Sequence, residues 1–201
     1  MEFEDEETKN IKIILLGESG VGKTCIINRY INNEFSSDSL PTIGSFSSTK
    51  KIIKNNIKYS VNVWDTTGQE KYHSITKLYI KGSDIIIFVY SINSRFSFEG
   101  LNYWYNAVKE IIQREKYITA VIGNKCDLID NEEISEQEGK KYAKEINAKF
   151  KLVSAKEDVG INNLFNSLVD ECIFQLDTKE KSKQLVITRT KRKKKKKKKC
   201  C

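Results

Sequence analysis

The 201-residue chain contains no run of roughly eighteen apolar residues, so its sequence offers no membrane-spanning helix. It also lacks a basic-then-apolar leader. Residues 1–7 include Glu2, Glu4, Asp5, Glu6 and Glu7, and the expectation is a chain that starts in the cytosol. Metal-ligand cysteine pairs are missing as well. Of the five cysteines, Cys25, Cys126 and Cys172 are scattered and Cys200 and Cys201 stand together at the end, which fits a reduced intracellular protein better than a disulfide framework. Internal repeats are absent, and low complexity is confined to residues 191–199, all Lys except Arg192.

What is present begins with charge. The net +8 suggests nucleic acid until it is divided along the chain. Residues 177–201 carry 13 Lys and Arg against 2 acids, net +11, whereas residues 1–176 carry 22 against 25, net −3. The body is mildly acidic and only the tail is basic. At 39% hydrophobic residues the chain suits one domain and one tail: a flexible acidic segment over 1–8, a domain over 9–176, and a disordered tail over 177–201.

Apolar runs from Ile11 to Leu16, Ile85 to Tyr90 and Ile118 to Ile122 show no alternation and read as strands buried on both faces, the mark of a parallel sheet. Between them lie helical patterns, clearest where Ile161, Leu164, Phe165, Leu168, Val169 and Cys172 make one apolar stripe. Strands alternating with helices imply an α/β fold. Around Asn55 and Asn56, residues that tolerate the positive φ of a tight turn, two extended segments read as a hairpin that gives the sheet an antiparallel edge.

Directly after the first apolar strand comes Gly17-Glu18-Ser19-Gly20-Val21-Gly22-Lys23-Thr24, which satisfies G-x-x-x-x-G-K-[ST] in a strand-to-helix setting. Such a loop turns its backbone N–H groups onto phosphate oxygens beside a helix N-terminus. Lys23 then pairs with the β- and γ-phosphates, and the Thr24 hydroxyl holds Mg²⁺. The loop by itself does not separate GTP from ATP. Asn124-Lys125-Cys126-Asp127 and Ser154-Ala155-Lys156 follow two later strands, whose carboxyl ends gather on the same rim of a parallel sheet. A carboxylate only accepts hydrogen bonds, and guanine offers N1–H and a 2-amino group where adenine offers neither, so Asp127 is the candidate guanine reader. The Ala155 N–H is placed to donate to guanine O6, Asn124 to brace the loops, and the Lys125 stem to cover the base.

With these segments and Trp64-Asp65-Thr66-Thr67-Gly68-Gln69-Glu70 in order, residues 9–176 resemble the Ras superfamily of small GTPases, and the Rab branch most. The Rab likeness rests on Pro41-Thr42-Ile43-Gly44, Tyr72-His73-Ser74-Ile75-Thr76, Tyr79-Ile80-Lys81-Gly82 and the terminal cysteine pair. The resemblance implies a P-loop NTPase G domain: a mostly parallel six-stranded sheet with one antiparallel edge strand and helices on both faces. It implies nucleotide contacts from Ser19 through Gly20, Val21, Gly22, Lys23 and Thr24 to Cys25, and others at Asn124, Lys125, Asp127, Ser154, Ala155 and Lys156. Thr42 is implied as the switch threonine, binding Mg²⁺ and the γ-phosphate only in the GTP state. Gly68 is implied to meet that phosphate through its N–H, and Asp65 to hold the metal through water. Phe35 matches the family's aromatic at the edge of the guanine, while a core Phe after a helix explains it equally well.

The implied activity is slow GTP hydrolysis. Gln69 positions the attacking water, while Lys23, Mg²⁺ and the loop N–H groups stabilise the developing charge. Ser39, Leu40 and Pro41 precede Thr42 with no arginine, so an activating partner is expected. Two departures from the pattern stand out. Thr67 replaces the usual alanine, adding a hydroxyl near the γ-phosphate, and slower hydrolysis is expected. Ser47 takes the place of a strand-entry phenylalanine, with Phe46 one position early and so on the opposite face. The alternatives are a nucleotide-binding scaffold with little turnover and another Ras-superfamily signalling GTPase.

Cys200 and Cys201 end the sequence without a C-a-a-X box, which resembles a doubly geranylgeranylated Rab terminus. The lysine run beside them suits an anionic leaflet. It also suits a nuclear-import signal, a nucleic-acid arm or a merely solvated run, and the paired cysteines favour membrane. The expected role is therefore a monomeric switch in vesicle trafficking, with no nucleic-acid partner, at the cytoplasmic face of an intracellular or plasma membrane and with a cytosolic pool. Its expected partners are an exchange factor, a GTPase-activating protein, a dissociation inhibitor or escort protein, and effectors.

Overall fold

The computed structural model describes residues 8–36, 42, 45–67, 78–112 and 117–178. Among them, six strands form one sheet in the order β2-β3-β1-β4-β5-β6. They are β1 (Lys9–Leu16), β2 (Ser45–Lys54), β3 (Ile57–Thr66), β4 (Ile85–Ser91), β5 (Ile118–Asn124) and β6 (Lys149–Leu152). Every neighbouring pair is parallel except β2 and β3. That hairpin turns through Asn55 and Asn56, both at positive φ (51° and 61°), which short amide side chains tolerate. The expected sheet and its antiparallel edge are therefore as built.

The central strands read as continuous apolar runs because each feeds two cores. On β1, Ile11, Ile13 and Leu15 face one side while Ile14 and Leu16 face the other; β4 divides likewise into Ile85, Ile87 and Val89 against Ile86, Phe88 and Tyr90. The first core is covered by α1 (Lys23–Asn32) and by α5, residues 161–178, which runs two residues past the expected domain boundary. All six residues of the α5 stripe are buried, and the Phe165 ring stacks on Tyr30 of α1 at 4.1 Å. The second core is covered by α2 (Arg95–Glu99), α3 (Leu101–Ile111) and α4 (Glu136–Glu145), and includes the fully buried Trp104. Truncating one such buried Leu or Ile to Ala typically costs about 2–5 kcal/mol, so α1, α3 and α5, which each bury several large apolar side chains, are firmly fixed to the sheet.

From β1 the chain steps to β3 on one side, and β4 on the other side leads on to β5. The crevice between these diverging connections opens at the carboxyl ends of the strands, where α/β sheets of this topology bind ligands.

Candidate functional site

A cleft of about 420 Å³ occupies that position. Its floor is the loop between β1 and α1. Gly22 at the start of α1 lies at φ 93°, with no side-chain cap and no acid in the helix's first turn. The helix N–H groups and positive end of the dipole therefore face the cleft, an arrangement suited to an anion. Gly22 is also required for space, since a Cβ there would stand 2.5 Å from Asn124 Nδ2. Lys23 Nζ donates to Gly17 O at 2.7 Å and to Glu18 O at 2.8 Å, leaving one of its three N–H groups for a phosphate oxygen. Burial pushes the Lys23 ammonium down to about 8, opposed by the nearby Asp65 and Glu18 carboxylates.

Beside Lys23 three oxygens converge. The Thr24 hydroxyl donates to Asp65 Oδ2 at 2.7 Å and lies 2.9 Å from the Thr42 hydroxyl, which itself is 3.3 Å from Asp65 Oδ2. Burial raises the Asp65 carboxyl, with the Thr24 bond and Lys23 pulling the other way. Its Oδ1 is buried without a hydrogen-bond partner among the described residues. A hard, all-oxygen cluster around a buried carboxylate with an orphaned atom fits Mg²⁺.

At the other end of the cleft, Asn124 Nδ2 donates to Val21 O at 2.8 Å and its Oδ1 accepts from the Ala155 N–H at 3.3 Å. The Ser154 hydroxyl donates to Asp127 Oδ1 at 2.5 Å, which fixes the carboxylate's orientation and leaves Oδ2 for a ligand. Lys125 adopts a left-handed conformation, φ 64°, that turns the segment around the cleft. Phe35 is 37% exposed and lines the cleft, so it joins neither core.

Most expected site residues meet here. Ser19, Gly20, Cys25, Thr42, Lys125, Ala155 and Lys156 line the cleft with Gly22, Lys23, Thr24, Asn124 and Asp127. Three act from behind: the Val21 side chain is in the core and only its carbonyl is engaged, Ser154 holds Asp127, and Asp65 holds Thr24. Gly68, Gln69, Cys200 and Cys201 lie outside the described residues, as do Pro41, Ile43, Gly44, the segment 72–76 and the lysine run. On β2, Ser47 pairs opposite Trp64 and Phe46 opposite Asp65. Trp64 packs on Tyr79 at 5.0 Å, and Phe46, 63% exposed, is on the far side of the sheet from that pair, as the displaced phenylalanine predicts.

Sequence reasoning missed Arg29. From α1 its guanidinium donates to Ala155 O at 3.0 Å, Lys156 O at 3.2 Å and Asn33 O at 2.9 Å, and lies 4.0 Å from Asp158. It straps the Ser154–Lys156 turn to the helix that carries Lys23.

A family model described as Ras family matches residues 12–174. The chain belongs to the Ras family. Human Ras-related protein Rab-31 is 35% identical over 193 residues, covering 96% of this chain and 98% of that protein. Human Rab-22A is 39% identical over 159 residues, 78% and 80% of the two chains, and Rab-10 of Diplobatis ommata 33% identical over 190 residues, 94% of each. The protein is thus a Rab-like small GTPase, a GTP hydrolase that acts as a switch in membrane trafficking. Guanine nucleotides are the ligands of this family, generally with Mg²⁺, and regulators and effectors are its general partners.

Arg29→Ala should release the Ser154–Lys156 turn and speed GDP dissociation about tenfold, the scale of one charge-assisted hydrogen bond. Arg29→Lys should not restore it, because an ammonium lacks the fork. Displacement of a fluorescent GDP analogue measures both rates, and an Arg29→Ala rate equal to the parent's would refute the strap.

Proposed function

We propose that the cleft binds GDP and GTP with the base against Asp127 and the phosphates on the Gly17–Thr24 loop, and that this nucleotide cycle governs membrane-bound effectors. The observation that carries the reading is that an acceptor-only carboxylate, oriented by Ser154, and a buried ammonium, aimed by two carbonyls, line one cleft. Asp127 accepts from guanine N1–H and the 2-amino group, and the Ala155 N–H, whose bond to Asn124 Oδ1 is long at 3.3 Å, is shared with O6. Phe35 and the Lys125 stem flank the base. Lys23 gives its remaining N–H to the β- and γ-phosphates, and the N–H groups from Ser19 to Cys25 take up further oxygens.

Thr24 and Thr42, with Asp65 through water, are the residues that would hold Mg²⁺, which would supply positive charge against the phosphates. Gln69 orients the attacking water and the Gly68 N–H meets the γ-phosphate. Once that phosphate leaves, Thr42 and Gly68 lose their ligand, and the segments around them release the effector. No arginine stands between Ser36 and Thr42, so a GTPase-activating protein must supply the missing charge.

Localisation follows from the tail. No helix among the described residues is long and apolar enough to cross a membrane. Two prenyl chains on Cys200 and Cys201 with the lysine run give stable attachment to an anionic cytoplasmic leaflet, and a dissociation inhibitor or escort protein maintains the cytosolic pool. The domain acts as a monomer and does not use nucleic acid.

Asp127→Asn sets an amide donor against the guanine amino group. GDP affinity should fall by about 10²-fold or more, and xanthosine diphosphate, whose 2-carbonyl accepts, should become the better ligand; persistent GDP preference in equilibrium competition would refute the base assignment. Thr67 is 2% exposed and directly follows Thr66, which lines the cleft, and its extra hydroxyl in place of alanine favours slow turnover. In single-turnover assays Thr67→Ala should hydrolyse GTP faster than the parent, and equal rates would remove the hydroxyl from the account. Chain recovered from a eukaryotic cell should show the added mass of two isoprenoids at its C-terminus; an unmodified terminus would end the lipid proposal.

A further inference from the structure

Gly100 sits where α2 meets α3, with φ −59° and ψ −20°, an ordinary right-handed helical conformation. No positive φ demands glycine there, and glycine weakens a helix relative to alanine. What it provides is room. A Cβ at residue 100 would lie 2.6 Å from Glu18 Oε1, 2.9 Å from Cγ and 3.1 Å from Cδ, so its three nearest neighbours all belong to one side chain. The other end of α2 is tied down as well: Arg95 N–H donates to Glu133 Oε2 at 2.6 Å, and the Arg95 guanidinium bonds Glu138 Oε1 on α4 at 2.8 Å.

Glu18 belongs to the phosphate loop, and its carbonyl, with that of Gly17, receives the Lys23 ammonium. Next along the loop, Ser19 and Gly20 are exposed, and nothing lies within 4 Å of where a Gly20 Cβ would be. We propose that Glu18 is a positioning residue for the phosphate site: its side chain, seated on Gly100, fixes the peptide whose carbonyl aims Lys23 at the β-phosphate. The inference rests on the nucleotide reading of the cleft. Glu18 touches no substrate. It links the loop to the α2–α3 junction, so a shift of that junction reaches Lys23 through one side chain.

The test uses full-length Gly100→Ala, Glu18→Ala and the double variant, each titrated with GDP and with GMP in Mg²⁺. GMP lacks the β-phosphate that Lys23 would hold, so a fault in aiming Lys23 shows with GDP alone. Each single variant should weaken GDP about five- to tenfold while leaving GMP within about twofold, and the double variant should bind GDP no worse than Glu18→Ala, as expected for two substitutions that break one contact. Parallel losses of GDP and GMP, losses that multiply in the double variant, or an unchanged GDP affinity for Glu18→Ala would each overturn the positioning role alone. A parent chain that fails to bind GDP would overturn the reading of the cleft and the positioning role with it.

Discussion

The rest of the site depends on the Asn124 side chain. Only 2% exposed, it joins two loops that lie 103 and 31 residues away in sequence, one through Val21 O and the other through the Ala155 N–H. The Asn124 backbone carbonyl accepts from the Ile92 N–H at 3.0 Å, which ties the same residue to the end of β4. An amide buried this deeply costs about 1–3 kcal/mol for each polar atom left unpaired, so its two partners hold their spacing against thermal motion. A ligand spanning phosphate loop and base loops thus meets a distance set in advance, and binding spends little on ordering them.

How far the sequence could be read follows from how local each signal is. The buried strands were legible because a strand feeding two cores must be apolar at every position, as in β4. The hairpin was legible in Asn55 and Asn56, and α5 in a stripe whose spacing is its own helix's period. The phosphate loop carries its chemistry in eight consecutive residues. Arg29 and Glu18 were not legible, since each works through backbone atoms or a bare glycine far along the chain, and neither leaves a pattern in its own neighbourhood. Val21 and Ser154 mark the same limit from the other side. Both belong to the expected motif, yet one contributes a carbonyl from within the core and the other acts on a neighbouring carboxylate. Phe35 was open between two roles until its exposure placed it at the cleft.

The exchange at residues 46 and 47 shows how a strand turns a small sequence change into a large surface change. Successive strand residues point to opposite faces. Ser47 therefore leaves the Trp64–Tyr79 pair without an aromatic opposite it, while Phe46 stands largely exposed on the face that carries Asp65. Neither Phe46 nor Ser47 lines the cleft, whose residues come chiefly from loops at the carboxyl ends of the strands. Recognition and chemistry are thereby free to vary independently on one sheet.

The stacking of Phe165 on Tyr30 has a consequence in time. The helix that bears Lys23 and Thr24 is made within the first 32 residues, but the core beneath it is not filled until residues 161–178 arrive. During synthesis, with the chain emerging from its N-terminus, the phosphate loop is exposed long before α1 has a firm seat. Completion of this core falls to residues 161–178. The phosphate loop therefore gains its firm seat only once residues 161–178 have been made and packed against α1.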